Sequence, residues 1–295
     1  MSATLRAALW MVGGIASFSL MAVAGRVLSS AHDTFEIMLY RSVVSFVILL
    51  VAARVLGSLG QVTTRKMGLQ LTRNLFHFVA QNLWFLALAL IPLAQVIALE
   101  FTSPIWVALM APLVLGERLT RVRALAAVIG FAGVLIIVRP DVGGISPPML
   151  AAALAAVGFA ASALFTRKLT RTETVTCIMF WLTSMQAVMA LICAGADGQI
   201  ALPPAWALPW FLIIGATGLS AHVCLSSALA LAPAAVVMPM DFLRLPVMAL
   251  IGALFFHEPL QITVLIGAAI IFGANALNLR SRSPEDMPQG HVGKT

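Results

Sequence analysis

The sequence predicts an all-α polytopic membrane protein: ten transmembrane helices in two inverted five-helix repeats around a central cavity. Three observations carry that expectation. The 295-residue chain is 61% hydrophobic and 10% charged, with a mean hydropathy of +1.02, whereas about a quarter of residues are charged in a soluble domain. Its apolar residues fall into ten stretches, each long enough at about 1.5 Å per residue to cross about 30 Å of hydrocarbon. Finally, the chain repeats itself: shifted by 141 residues, Ala228–Arg280 lies over Ala87–Arg139 without a gap, with about a third of positions identical.

In chain order the spans fall near Leu5–Leu28, Phe35–Leu56, Leu69–Leu90, Ala94–Leu115, Val122–Val138, Met149–Thr166, Thr174–Ala194, Ala207–Leu231, Ala235–Phe256 and Ile262–Leu279. The first, with Arg6 before it and Ser29-Ser30-Ala31 after it, mimics a signal peptide, but its counterpart in the second half argues that it is retained. The same offset places Phe18 and Arg26 on Phe159 and Arg167, Pro92 on Pro233, the pair Glu100-Phe101 on Asp241-Phe242, and Glu117 on Glu258. Residues 1–140 thus form one repeat and 141–280 the second, leaving 281–295 as a polar, disordered cytoplasmic tail.

Orientation follows from the basic residues. A net charge of +7 and a pI near 10.4 are compatible with a nucleic-acid partner by themselves, but the cations cluster in short loops between apolar spans, which excludes it. Arg54, Arg65, Lys66 and Arg73 lie between spans two and three; Arg118, Arg121 and Arg123 between four and five; Arg167, Lys168 and Arg171 between six and seven; Arg280, Arg282 and Lys294 in the tail. The alternate loops hold only Arg26 and Arg139, so both termini are expected on the cytoplasmic side of a bacterial-type inner membrane. An odd number of spans per half makes the halves enter from opposite sides, the device by which many secondary transporters alternate between two open states.

Enzymatic and channel readings find little support. Cys177, Cys193 and Cys224 sit singly in apolar runs, without the spacing of a metal or redox site, and no cofactor or metal motif is present. The sequence has no P-loop, no H-E-x-x-H and no G-x-S-x-G, so ATP-driven and hydrolytic chemistry have no visible machinery. Nor is there a ring of like charge or a repeated filter sequence suited to a channel.

The run from Ala87 to Pro140, the tandem five-span pattern and the echo ending His257-Glu258-Pro259-Leu260 resemble the ten-span EamA-type members of the drug/metabolite transporter superfamily. The resemblance implies a central cavity flanked by spans three, four, eight and nine, and transport of a small-molecule substrate through the lipid bilayer. Amino-acid export is the favoured expectation; uptake or exchange of S-adenosylmethionine, a nucleotide precursor or an amine is the alternative. At Gly116-Glu117-Arg118 against His257-Glu258-Pro259 the halves differ, so the two acids need not play one part.

Candidate substrate-binding residues are those too costly to face lipid, where a buried charge costs about 2.5–3.5 kcal/mol on insertion scales. Arg41, Glu100, Asp241 and Arg244 qualify. Two readings stand: structural pairs of Arg41 with Glu100 and Asp241 with Arg244, or contact with a zwitterion, with proton coupling through Glu100 or Asp241. His77, Gln81 and Trp84 form a polar, aromatic stripe on span three that should face inward, flanked by Asn74, Phe78 and Asn82. His222 and Ser226 echo it on span eight, while Phe101, Trp106, Trp181 and Gln186 are candidates for an aromatic wall or for plain packing.

Pro104, Pro112, Pro239 and Pro246 interrupt spans four and nine and are hinge candidates. Glu117 should make solvated pairs with Arg118, Arg121 and Arg123. Small residues at Ala126, Gly130 and Gly133, and at Ala269 and Gly273, permit close helix contact within the fold or between two copies, so the oligomeric state stays open.

Overall fold

The structure is a computed structural model describing residues 2–116, 120–138, 146–196, 198–231, 237 and 240–280, with side chains left aside at 226, 229, 230 and 278–280. Every regular element among the described residues is helical: α1 (Ala3–Leu28), α2 (Thr34–Val55), a single 3-10 turn (Leu59–Gln61), α3 (Met67–Leu90), α4 (Leu93–Glu100), α5 (Ser103–Leu115), α6 (Arg121–Val138), α7 (Pro147–Leu169), α8 (Val175–Ala194), α9 (Leu208–Leu231), α10 (Arg244–Phe255) and α11 (Ile262–Arg280). Seven stretches are long and apolar enough to cross a membrane, α4 and α5 counting as one, and α10 and α11 carry shorter apolar runs. The helix α3 is absent from that set because its stripe of Arg73, Asn74, His77, Gln81 and Asn82 is polar, and all five are buried in protein rather than turned to lipid.

Packing interchanges the two halves. The most extensive contacts are α1 with α9 and α3 with α7, which the 141-residue offset maps onto each other, and α2 with α8 and α6 with α11, which it maps onto themselves. Contacts between α2 and α8 run in opposite order along the chain: Arg41 meets Gln186 and Phe46 meets Phe180. The helices are therefore antiparallel, as an inverted repeat requires.

The same holds for α6 and α11, where the backbone at Gly130 approaches Ala274 and that at Gly133 approaches Ile271. These two contacts are images of each other under the offset. On α6 the small residues Ala126, Gly130 and Gly133 are buried together with Ala127, but on α11 the small residues singled out from the sequence are not the ones packed within the fold. Ala269 and Gly273 face outward, and the packed face carries Val264, Gly267, Ala268, Ile271 and Ala274. Ala269 and Gly273 thus take no part in contact within the fold, which leaves contact between two copies as the role still open to them.

A Cβ at Gly267 would stand 2.7 Å from the Gly133 carbonyl oxygen and 2.5 Å from Ile137, while one at Gly273 meets nothing within 4 Å. Gly267→Ala is thus expected to lower stability by about 1–3 kcal/mol through overpacking. Gly273→Ala should be neutral or stabilise by up to about 1 kcal/mol through helix propensity. Thermal unfolding of the two variants in one detergent checks the contrast.

Spans four and nine are not continuous. The break in the first is at Phe101-Thr102, between α4 and α5, and the turn in the second is at Phe242-Leu243, just before α10. Both breaks begin at the aromatic residue of the repeated acidic-aromatic pair and end two to three residues ahead of a proline that lacks the N–H needed to continue the ladder. Of the hinge candidates, Pro104 stands in the first turn of α5, Pro112 lies inside α5, and Pro246 is the third residue of α10. Pro239 lies outside the described residues, as do Glu117, Arg118, Arg139, Pro233 and the tail. Arg123 is buried, not solvated. Where the halves differ in sequence, Gly116 and His257, the backbone agrees: both take left-handed φ, 73° and 54°.

Candidate functional site

The broken span gives the site its first half. Pro104 leaves the Glu100 carbonyl without its helical donor, and the Ser103 hydroxyl takes it at 2.8 Å. The Thr102 hydroxyl donates to the Leu99 carbonyl at 2.7 Å, and Asn275 of α11 donates to the Phe101 carbonyl at 2.8 Å. With its backbone groups so paired, the break is held within the protein at a fixed geometry.

That break brings the repeated acids together. Arg244, at the start of α10, donates to Glu100 at 2.8 Å and to Asp241 at 3.1 Å through the same Nη2. Trp84 of α3 donates its indole N–H to the other oxygen of Glu100 at 2.8 Å. The guanidinium lies between the rings of Phe18 and Phe101, 4.8 and 5.0 Å from their centroids, and Phe101 stacks on its repeat partner Phe242 at 4.3 Å. Equivalent residues of the two halves thus touch, so this cluster sits where the halves meet. It carries two carboxylates and one cation, because the repeat position of Arg244 in the first half is Ser103.

The expected pairing of Asp241 with Arg244 is present. That of Arg41 with Glu100 is not. Their similar depth suggested a pair, but depth along two spans does not fix the rotation of either, and Arg244 occupies Glu100 instead.

Arg41 belongs to a second cluster between α2, α3, α8 and α9. It is 5% exposed and, among the described residues, donates only to Gln186 Oε1 at 3.4 Å and Met38 Sδ at 3.7 Å. A narrow pocket here is lined by Arg41, Ser42, Thr183, Gln186, Gly218 and His222, among others, with about 10 Å³ open to a water centre, room for about one water. His222 packs edge-on against Phe18 at 5.9 Å, and His77 faces Phe159, the repeat partner of Phe18, at 5.5 Å. The two imidazoles are 6.3 Å apart, and His77 Nδ1 is 3.5 Å from the Ser162 hydroxyl.

The other candidates scatter. Gln81 is buried on the same stripe of α3. Trp181 donates to the Thr63 carbonyl at 2.8 Å, pinning the α2–α3 connection, and Trp106 packs edge-on against Phe131 of α6 at 5.0 Å. The side chain of Ser226 lies outside the described residues.

Two groups were misread as loop cations. Arg73 is 3% exposed and donates to Thr166 at 3.0 Å and to Asn74 at 2.8 Å. Its spacing of four from His77 put it on the same stripe, a signal outweighed by its position near the helix start. Arg26, at the end of α1, binds the Leu88 and Ile91 carbonyls and the Glu258 carboxylate. The second oxygen of Glu258 accepts the Leu93 N–H at 2.8 Å. A cation thus meets the C-terminus of α3 and an anion the N-terminus of α4, both favourable to the helix dipoles.

Comparison with known proteins bears on what this geometry serves. The riboflavin transporter of Rhizobium johnstonii is 34% identical over 276 residues, covering 93% of this chain and 91% of the relative. The S-adenosylmethionine uptake transporter of Rickettsia bellii is 24% identical over 265 residues, covering 90% of each. A solved structure superposes with a TM-score of 0.63 at 19% identity, over 92% of this chain and 95% of its own, which shows a shared fold. Both relatives named are transporters of small metabolites, and neither name is that of an amino-acid exporter. The EamA-like transporter family matches twice, over residues 5–139 and 146–280, and the chain belongs to that family.

Proposed function

We propose that the chain is a secondary carrier that moves riboflavin, or a flat heteroaromatic metabolite of that kind, across the bacterial inner membrane by alternating access. The observation that carries this reading is the buried polar and aromatic seam between the halves, in a chain similar over nearly its whole length to a riboflavin transporter. His77, His222, Trp84 and the Phe101–Phe242 stack supply ring surfaces, and Arg41, Gln186 and Thr183 supply polar groups, the composition expected of a site for an amphipathic ring.

The described conformation is closed around Arg41. A metabolite site is on the order of 300 Å³ or more, so cargo enters only when helices part. With residues 1–140 and 141–280 as the moving repeats and both termini cytoplasmic, Arg26, Ile91, Leu93 and Glu258 all lie at the outer face. Their contacts act as a latch that closes the outward path, and the breaks at Phe101 and Phe242 are where spans four and nine bend. Two carboxylates sharing one guanidinium leave one negative charge to balance, which a proton on Glu100 or Asp241 supplies during the cycle.

Purified protein in liposomes should show saturable riboflavin uptake, accelerated by unlabelled riboflavin on the far side and altered when a pH gradient is imposed. Amino acids should not compete. Saturable flux of an amino acid, with riboflavin ignored, would replace the flavin reading with the amino-acid one.

A further inference from the structure

We propose that Arg41 contacts the substrate directly and that its guanidinium grips an edge of the cargo bearing two adjacent acceptor atoms. Such an edge is the carbonyl-and-ring-nitrogen side of a flat heteroaromatic ring, or a carboxylate. The proposal rests on the carrier reading above and adds which side of the substrate faces α2.

The argument begins with charge. Arg26 and Arg244 each meet a carboxylate. Arg41 is as deeply buried as Arg244 yet pairs with no carboxylate among the described residues. Its one oxygen acceptor, Gln186 Oε1, stands at 3.4 Å, beyond the ordinary range for an N–H···O bond. Arg73, on α3, adds a second cation satisfied only by a hydroxyl and an amide. The Arg41 guanidinium between α2, α8 and α9, and that of Arg73 where α3 meets α7, thus have no matching anion among the described residues, in surroundings where an unpaired charge is costly.

The unmet hydrogen bonds point the same way. Among the described residues, Arg41 Nε, Gln186 Nε2 and Ser42 Oγ of this pocket, and His77 Nε2 on α3, are buried without a hydrogen-bond partner. The first two are donors only and the hydroxyl can act as one, so the groups that would complete this pocket are acceptors. A buried donor left unmet is a cost the fold bears for a reason, and an acceptor-rich ligand supplies one.

Local geometry then selects a flat, two-acceptor edge. The guanidinium lies against Gly218 of α9, where a Cβ would stand 3.2 Å from both Nε and Nη2, so the close approach of α9 fixes the plane of the fork. His222, four residues further along α9, borders the same pocket with its ring. A planar fork offers two parallel N–H bonds to adjacent acceptors, which a lysine's point charge does not.

The test measures binding of riboflavin, 1-deazariboflavin and 5-deazariboflavin to purified wild type, Arg41→Lys and Arg41→Gln, followed by fluorescence. Each deaza analogue replaces one ring-nitrogen acceptor by C–H. The expected result is at least tenfold weaker binding of one analogue to the wild type, with that ratio falling to near one in both variants. Should the ratio survive in Arg41→Gln, or be near one in the wild type, the flavin-edge assignment is overturned. If no flavin binds but an amino acid does, and Arg41→Gln abolishes that binding, the flavin reading falls while the Arg41 contact stands; if the variant binds it equally, both fall. Where Arg41→Gln does not fold, Gly218→Ala displaces the fork without removing charge and is read by the same ratio.

Discussion

Replacing Arg244 by Gln is expected to cost about 3–5 kcal/mol of stability, the range found when one partner of a buried ion pair is removed. The reason is a charge count. Wild type holds two carboxylates and one guanidinium, with the Arg244, Glu100 and Asp241 side chains 3%, 18% and 13% exposed. Arg244→Gln leaves two like charges facing each other at the break in both spans. Glu100→Gln and Asp241→Asn instead leave one acid with one base, so each should cost about 1.5–3 kcal/mol, the scale of a lost charged hydrogen bond. Arg244→Lys keeps the charge and a nitrogen that can donate to both acids but loses the planar cation held against Phe18 and Phe101, and should fall between. Thermal unfolding in detergent gives the order directly. An Arg244→Gln protein as stable as Glu100→Gln would mean that the acids are not both charged in this conformation. Flux separates the roles further: if the surplus charge serves proton coupling, Glu100→Gln or Asp241→Asn should lose the response to a pH gradient while still exchanging substrate.

How much of this was legible beforehand depends on which physical quantity each feature reports. Membrane embedding and the two repeats follow from hydropathy and self-similarity, which are summed over many residues and tolerate local error. Burial of His77, Gln81, Trp84, Arg41 and Arg244 was equally readable, since lipid accepts none of their polar groups. Partner choice was not. Arg41 and Glu100 seemed matched because they lie at similar depth, but pairing depends on the rotation of each helix, and an apolar helix carries little sign of its rotation. For the same reason the sequence does not show that Gly267, and not Gly273, packs within the fold. The break in span four was placed by its prolines, yet what positions it is the set of side chains that take up the freed carbonyls, Ser103, Thr102 and Asn275. No window of sequence contains both Phe101 and Asn275. Arg26 and Glu258 illustrate the opposite case: each was noticed as a repeated charge, but 232 residues separate them, and only the fold makes them one contact.

That contact carries the second large expectation, in which Glu258→Gln shifts the balance of states toward one open to the outside. The carboxylate performs two tasks at once, pairing with Arg26 and accepting the Leu93 N–H, and it lies over Gly252, where a Cβ would collide with its oxygen. Glutamine keeps the length and one acceptor but loses the charge, forfeiting about 2 kcal/mol of charged hydrogen bonding. If the latch exists only in the outward-closed state, that loss is a roughly thirtyfold change in the ratio of the two states. Hydrogen exchange at Leu93–Val96, the first turn of α4, should quicken correspondingly, and substrate added from the outer side should bind faster. Gly252→Ala should reproduce both effects with the charge intact, since the methyl group displaces the carboxylate from above Leu93. Arg26→Gln should do so too, because it leaves the Leu88 and Ile91 carbonyls without their cation. Were exchange at α4 to quicken in all three variants with outer-side binding unchanged, the cluster would be a staple for the α3–α4 turn, and the outward path would be closed elsewhere.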